Sequence, residues 1–225
     1  MDYRSELKHY INYQDYEIIK SRISKVLTID KNTNENLEYK IRSIYFENFN
    51  DKVLQEKLLG LNKRDKFRIR LYNDDSTFIR LEKKSKINGL CKKISCPITK
   101  DEVLKIINND TSFMLKSDRP LLQELYFKMK TEFLKPKTIV DYEREAYTYK
   151  IGNVRITFDK NLRTGIVSKD LFNKDLCTIN PINKSNIVLE VKYDEFLPEF
   201  ILDLLQLGER TKTSISKYAL CRMYG

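Results

Sequence analysis

Histidine is all but missing from this chain: His9 is the single one among 225 residues. A metal centre built on two imidazoles is thereby excluded, and a Ser-His-Asp triad has one candidate base at most. Six glycines are few, and they form neither a dinucleotide fingerprint nor a Walker-type loop. Any bound phosphate must be held by side chains rather than by backbone amides. The four cysteines, Cys91, Cys96, Cys177 and Cys221, lack both the paired spacing of a zinc site and the density of a disulfide scaffold, which fits a reducing cytoplasm. Long hydrophobic runs are absent too. Phe200-Ile201-Leu202 and Leu204-Leu205 are interrupted by Asp203, which excludes a membrane-spanning helix. Met1 to Glu6 is followed by no apolar segment, so no secretory leader is expected.

What the chain has in plenty is positive charge. Lys plus Arg number 42 against 32 acids, a net charge of +10, with 33% of residues charged and 41% hydrophobic. That describes a globular but strongly basic protein with polyanionic partners. A chain of this length buries roughly 70% of its unfolded surface on folding, enough for one substantial core, and a single domain over residues 1–225 is expected.

Periodicity predicts strands separated by shorter helical stretches. Residues 3–12 set Leu7, His9 and Ile11 on one face and Glu6 and Lys8 on the other. Asp15 reads as the cap of a helix to about Leu27, and 30–38 as a loop. Strands are expected at Lys40 to Glu47, Lys66 to Tyr72 and Thr77 to Lys86. The second and third of these are joined by a turn at Asn73-Asp74-Asp75-Ser76, and Asn88-Gly89 leads into Leu90 to Ser95. Thr99 and Glu102 have capping-box spacing before a helix to Asn108, and Pro120 suits the first turn of another to Lys130. Thr138 to Tyr149, Val154 to Asp159 and Ile187 to Tyr193 read as further strands, followed by a helix near Phe196 to Leu207. Asp159, Asn161 and Arg163 read as a turn after their strand.

Most of these strands carry charge on alternate positions. Phe67, Ile69 and Leu71 oppose Arg68 and Arg70; Ile79 and Leu81 oppose Arg80, Glu82, Lys84 and Lys86. Arg144, Arg155, Glu190 and Lys192 repeat the pattern later. At least six such strands suggest an antiparallel sheet, closed or strongly curved, with one charged face. Turned inward, that face forms a basic tunnel that is unfavourable when empty, because like charges in a poorly solvated space repel. A polyphosphate neutralises it, gripped bidentately by arginines, with carboxylates holding a bridging divalent cation, magnesium or manganese.

The ordered motifs Arg4-Ser5-Glu6-Leu7-Lys8-His9-Tyr10, Arg42-Ser43-Ile44-Tyr45-Phe46-Glu47-Asn48, Arg68-Ile69-Arg70-Leu71-Tyr72 and Leu81-Glu82-Lys83-Lys84-Ser85-Lys86 with Asn88-Gly89 and Lys93 make a pattern. It continues in Tyr142-Glu143-Arg144-Glu145-Ala146-Tyr147, Val154-Arg155-Ile156-Thr157-Phe158-Asp159, Leu189-Glu190-Val191-Lys192-Tyr193 and Ser216-Lys217-Tyr218. Over nearly its whole length the chain resembles the VTC domain, the polyphosphate polymerase domain of the triphosphate tunnel metalloenzyme superfamily, as a bacterial-type, stand-alone, cytoplasmic member. The resemblance implies an α+β fold: a closed antiparallel eight-stranded β-barrel tunnel with flanking helices. It implies Lys8, Arg68, Arg70, Lys84, Lys93, Arg144, Arg155 and Lys217 as the phosphate-gripping set, with Tyr142 and Ser216 as neutral donors. Glu190 is implied as the principal metal ligand, with Glu6 and Glu82 as acidic partners and manganese or magnesium as the cofactor.

The activity implied is transfer of the ATP γ-phosphoryl group to a growing polyphosphate chain, by positioning and charge neutralisation. Where eukaryotic relatives carry a base just before the Ser-Lys pair, this chain has Ser214, with Lys212 further back. A tunnel tripolyphosphatase or nucleoside triphosphatase therefore stands beside the polymerase, as does a non-catalytic polyphosphate-binding module. The partners expected are ATP or another triphosphate and inorganic polyphosphate, with no specific nucleic acid, because Glu82 and Glu190 repel a phosphate backbone without a metal. His9 is expected to face away from the charged side and serve packing.

Overall fold

The computed structural model describes residues 4–30, 33, 37–206 and 213–224. In chain order the elements are β1 (Ser5–Ile11), α1 (Tyr13–Ile23), β2 (Thr28–Ile29), β3 (Glu38–Glu47), α2 (Lys52–Leu58), β4 (Lys63–Tyr72), β5 (Asp75–Ile87), β6 (Leu90–Ile98), α3 (Lys100–Ile107), α4 (Ser112–Leu115), α5 (Pro120–Thr131), β7 (Lys135–Tyr149), β8 (Val154–Thr164), β9 (Ile187–Tyr193), α6 (Glu199–Leu205) and α7 (Lys217–Arg222). Among the described residues nine strands form one sheet in the order β1-β9-β8-β7-β3-β4-β5-β6, with β2 on β7. The fold is α+β and antiparallel, but the expected closed, eight-stranded barrel is corrected on two counts. A ninth strand is present, too short at two residues for periodicity to reveal, and among the described residues the order is open at β1 and β6. Alternation tells which face a residue occupies and says nothing about which edges pair. No helix among the described residues is long and apolar enough to cross a membrane.

The chain divides into two compact units. The first comprises residues 1–40, 142–162 and 182–215. Here β1 pairs with β9 and β9 with β8, and the odd positions Ile11, Leu189 and Val191 join Ile156 and Phe158 on one face. That face packs on Tyr16, Ile19 and Ile23 of α1 and on Ile201 and Leu205 of α6, all buried, so the charged positions occupy the opposite face. Each such side chain contributes about 1.5–3 kcal/mol through burial. His9 lies on the apolar parity, directly opposite Leu189. Helix α1 begins two residues before the expected Asp15. Asn12 is its N-cap and Asp15 closes the capping box from the third position, because the amide of Asn12 needs an acceptor that only a carboxylate three residues on supplies.

The second unit comprises residues 41–141, 163–181 and 216–225. The β4–β5 hairpin turns through Asn73 and Asp74, both at positive φ (50° and 55°), and the next turns through Asn88 and Gly89 (48° and 87°). These are the two-residue turns whose twist matches that of the strands. Phe67, Ile69 and Leu71 of β4 and Ile79 and Leu81 of β5 are buried, as are Val103 and Ile106 of α3 and Leu121, Leu122 and Leu125 of α5. The capping box at Thr99 and Glu102 and the first-turn Pro120 are where the sequence places them. Helix α2 is capped from a distance: Glu47 accepts from the backbone amides of Val53 (2.9 Å) and Leu54 (3.0 Å). The same carboxylate receives the hydroxyl of Tyr218 in α7, which fastens the short helix carrying Lys217. Burial, together with Glu47, pushes the Tyr218 phenol well above its usual range.

Candidate phosphate-handling site

In the second unit the charged parity of three strands lines up in register. Tyr45 of β3 stands opposite Arg68 of β4, and Arg68 opposite Glu82 of β5. One row over, Ser43 opposes Arg70, which opposes Arg80. On the other side Lys66, Lys84 and Lys93 form a row of three lysines across β4, β5 and β6. Like charges directly opposite one another are destabilising, so this row adds nothing to the stability of the sheet.

Carboxylate and hydroxyl groups hold the cations of this unit in place. Arg68 donates through Nε to Glu82 Oε2 (2.7 Å) and through Nη1 to Tyr45 Oη (2.8 Å). Lys93 Nζ lies 3.1 Å from Glu82 Oε1, and Arg70 Nε donates to Ser43 Oγ (3.1 Å). Burial alone raises the Glu82 carboxyl, but Arg68, Arg70 and Lys93 overcome it and hold it well below the usual carboxylate range. Tyr45 is the more informative group. Burial pushes its phenol up, yet Arg68, Lys66 and Arg70 bring it down to about 7. Ser216 is the N-cap of α7, its Oγ accepting from the amide of Ala219 (3.3 Å), and Lys217 is the first residue of that helix.

In the first unit the same construction appears with different residues. Arg155 opposes Lys192, which opposes Glu6; Thr157 opposes Glu190, which opposes Lys8. Lys192 Nζ lies 2.8 Å from Glu190 Oε1 and 3.6 Å from Glu6 Oε1, while Lys8 Nζ lies 3.5 Å from each. Two carboxylates thus share two ammonium groups. Arg144 makes a bidentate pair with Asp159 (2.6 and 2.8 Å), reaches Glu190 at 3.5 Å, and stacks its guanidinium 5.3 Å from the ring centre of Tyr142. Burial lowers the Arg144 pKa, but Asp159, Tyr142 and Glu190 raise it well above the usual value. Arg155 is held by Asp30 (2.5 Å) and by the hydroxyl of Tyr39 (2.9 Å).

The expected residues therefore gather by unit: Glu6, Lys8, Tyr142, Arg144, Arg155 and Glu190 in the first, and Arg68, Arg70, Glu82, Lys84, Lys93, Ser216 and Lys217 in the second. Lys212 lies outside the described residues. Asp159 is not the turn residue expected from the sequence. Strand β8 continues through Asn161, at φ 55°, to Thr164, and Asp159 serves as the counter-ion of Arg144. Tyr45, Ser43, Asp159, Tyr39 and Asp30 are the partners that sequence reasoning misses. For Tyr45 and Ser43 the signal was present, since both share the parity of β3 opposite to Ile44 and Phe46.

Among the described residues no three acidic, histidine or cysteine side chains come together as a metal site. The first unit nevertheless offers a fitting donor set. Magnesium is commonly held by one or two carboxylates with phosphate oxygens and water completing the octahedron, and Glu6 and Glu190 are two carboxylates close enough to share Lys8 and Lys192.

The class of this protein is an antiparallel α+β fold whose sheet carries interleaved cations and carboxylates on one face. Within that class the chain belongs to the VTC domain family, whose model matches residues 3–224. Its fold is similar to that of a candidate adenylyl cyclase from Hippeastrum described as having a dominant triphosphatase activity, at 14% identity and a TM-score of 0.57, covering 100% of this chain and 96% of that one. It is also similar to a candidate adenylate cyclase from Bacillus halodurans, at 12% identity and a TM-score of 0.50, covering 90% and 87% of the two chains. No curated protein matches the chain.

Proposed function

We propose that this VTC domain is a metal-dependent ATP–polyphosphate phosphotransferase, moving the γ-phosphoryl group of ATP onto the end of a polyphosphate chain. The observation that carries the reading is the row Lys66, Lys84 and Lys93 beside Arg68 and Arg70, cations assembled in register, of which Arg68, Arg70 and Lys93 pair with the buried carboxylate of Glu82. A face of that kind is organised before any ligand arrives, so little reorganisation is needed when phosphate binds. Arg68, Arg70, Lys84, Lys93 and Lys217 are the phosphate-gripping residues of the second unit and Lys8, Arg144 and Arg155 those of the first, with Tyr142 and Ser216 as neutral donors.

In the reaction the bond between the γ-phosphorus and the bridging oxygen of ADP breaks, and a bond to the terminal oxygen of the polyphosphate forms. The chain's own residues hold the reacting phosphates in line and neutralise the charge that spreads over their oxygens, which is most of what phosphoryl transfer requires. Glu190 and Glu6 would hold a magnesium or manganese ion, which would supply further charge neutralisation. Glu82, with Arg68 and Lys93 on its two oxygens, is the counter-ion that orients the cations, and its expected place as a third acidic ligand of the metal is the less favoured role.

One observation favours a second reading. The Hippeastrum protein of similar fold is described as a triphosphatase, and the same cationic face serves hydrolysis when water takes the place of the chain end. Incubation of the purified protein with γ-labelled ATP and manganese or magnesium decides between them. A ladder of long chains that an exopolyphosphatase removes establishes the polymerase, and free phosphate alone establishes a hydrolase. Tight triphosphate binding without turnover reduces the chain to a polyphosphate-binding module.

A further inference from the structure

One polar group on the charged face of the first unit stands out. Thr157 sits in the middle of β8, 1% exposed, and its Oγ1 is buried without any hydrogen bond among the described residues. Its surroundings make that unusual. Thr157 stands directly opposite Glu190, which stands opposite Lys8. Two residues earlier on the same face of β8 is Arg155, and two residues later is Asp159, paired with Arg144. Directly opposed strand residues place their Cβ atoms about 4.5–5.5 Å apart, so this hydroxyl lies within the same cluster of ions.

Buried hydroxyls nearly always find a partner, and an orphan in a native fold calls for an explanation. Packing does not supply one, because valine has the same shape and β-branching without the hydroxyl. The carboxylate directly across the strand pair, Glu190, is already engaged by Lys192 at 2.8 Å, and by Lys8 and Arg144 at 3.5 Å. Four cations, Lys8, Lys192, Arg144 and Arg155, lie in this cluster, and the four carboxylates that partner them, Glu6, Glu190, Asp159 and Asp30, are all engaged. The hydroxyl is thereby left to an acceptor from outside the chain, and beside so many cations an anion is the acceptor that fits.

We propose that Thr157 Oγ1 donates a hydrogen bond to a phosphate oxygen of the bound triphosphate or polyphosphate, making Thr157 a ligand-binding residue of the first unit. The assignment rests on the phosphate-handling reading above and adds to it a neutral donor. A hydroxyl bonded to an ionised acceptor is worth roughly a tenfold to hundredfold change in affinity.

Titration calorimetry of the full chain with inorganic tripolyphosphate, in metal-free buffer, tests this with wild type, Thr157→Val and Thr157→Ser. Thr157→Val is expected to melt at or above the wild-type temperature, since it removes an orphan hydroxyl, while binding tripolyphosphate about tenfold or more weakly. Thr157→Ser retains the hydroxyl and is expected to bind within about threefold of wild type. If Thr157→Val binds as tightly as wild type, the assignment is overturned while the phosphate reading stands. Equal weakening in both variants also overturns it, because serine keeps the hydroxyl and would then bind no better than valine. If the wild type itself does not bind tripolyphosphate, both the phosphate reading and this assignment fall.

Discussion

Arg68 and Glu82 face each other directly across β4 and β5, with Nη2 2.6 Å from Oε2, and Lys93 takes the other oxygen at 3.1 Å. One buried carboxylate therefore holds two cations in position. Because the carboxyl is held well below its usual pKa, its contribution to stability is fully present above the ordinary carboxylate range and is lost as pH falls through the lowered value. Glu82→Gln is expected to destabilise the protein by about 3 kcal/mol or more and to flatten the acid limb of the stability profile. Tripolyphosphate, by replacing the missing anion, is expected to raise the melting temperature of the variant more than that of wild type. Thermal melts across pH, with and without tripolyphosphate, check all three outcomes.

Arg68 reaches Glu82 through both Nε and Nη2, and Arg70 donates to Ser43 and lies 3.9 Å from the same carboxylate. Their joint replacement by alanine is expected to weaken tripolyphosphate binding by at least about a hundredfold, each lost charge-assisted contact being worth roughly 1.5–3 kcal/mol. Arg68→Lys keeps the charge but not the fork, and an intermediate affinity is expected from it. Calorimetry measures both, and unchanged affinity in the double variant would remove these residues from the site.

Glu190 and Glu6 share two ammonium groups in the first unit. Glu190→Gln preserves shape and removes the charge that a divalent ion needs. Metal-dependent turnover of γ-labelled ATP is expected to be abolished, while tripolyphosphate binding in metal-free buffer is retained, since Lys8 and Lys192 lose a competing anion. Full metal-supported turnover by the variant contradicts the ligand role.

Tyr45 titrates at about 7 in the folded protein, against the usual value near 10, because Arg68, Lys66 and Arg70 outweigh the effect of burial. A phenol whose pKa is lowered on folding adds stability as pH rises from about 7 to 10 and loses it as pH falls back through 7. A tyrosinate absorbance step near neutrality is expected in wild type and missing in Tyr45→Phe. Bound tripolyphosphate claims the same cations and is expected to move that step to higher pH, so that binding above neutrality takes up protons in wild type but not in Tyr45→Phe. A step left unmoved by saturating ligand would separate Tyr45 from the phosphate site.

Much of this architecture is legible in the amino-acid sequence. Period-two alternation puts Arg68, Arg70, Glu82 and Lys84 on one face and Phe67, Ile69 and Leu81 on the other, and Asn73-Asp74, Asn88-Gly89 and Thr99 with Glu102 sit where their local chemistry demands. These are short-range properties, decided by the pleat, by turn dihedrals and by the orphan amides of a helix start. The partners are not legible in the same way. Arg42, itself buried, meets Asp141 ninety-nine residues away; Arg144 takes Asp159 rather than leaving it to a turn; and Thr157 is left without a hydrogen bond among the described residues while Glu190 opposite it is engaged by Lys192 of its own strand and by Lys8 and Arg144 of two others. The sequence by itself determined which residues share a face, since alternation is a local property of an extended chain. Which charge stands opposite which was decided by strand register between distant segments, and with it which groups are left without a partner, so only the tertiary structure holds that information.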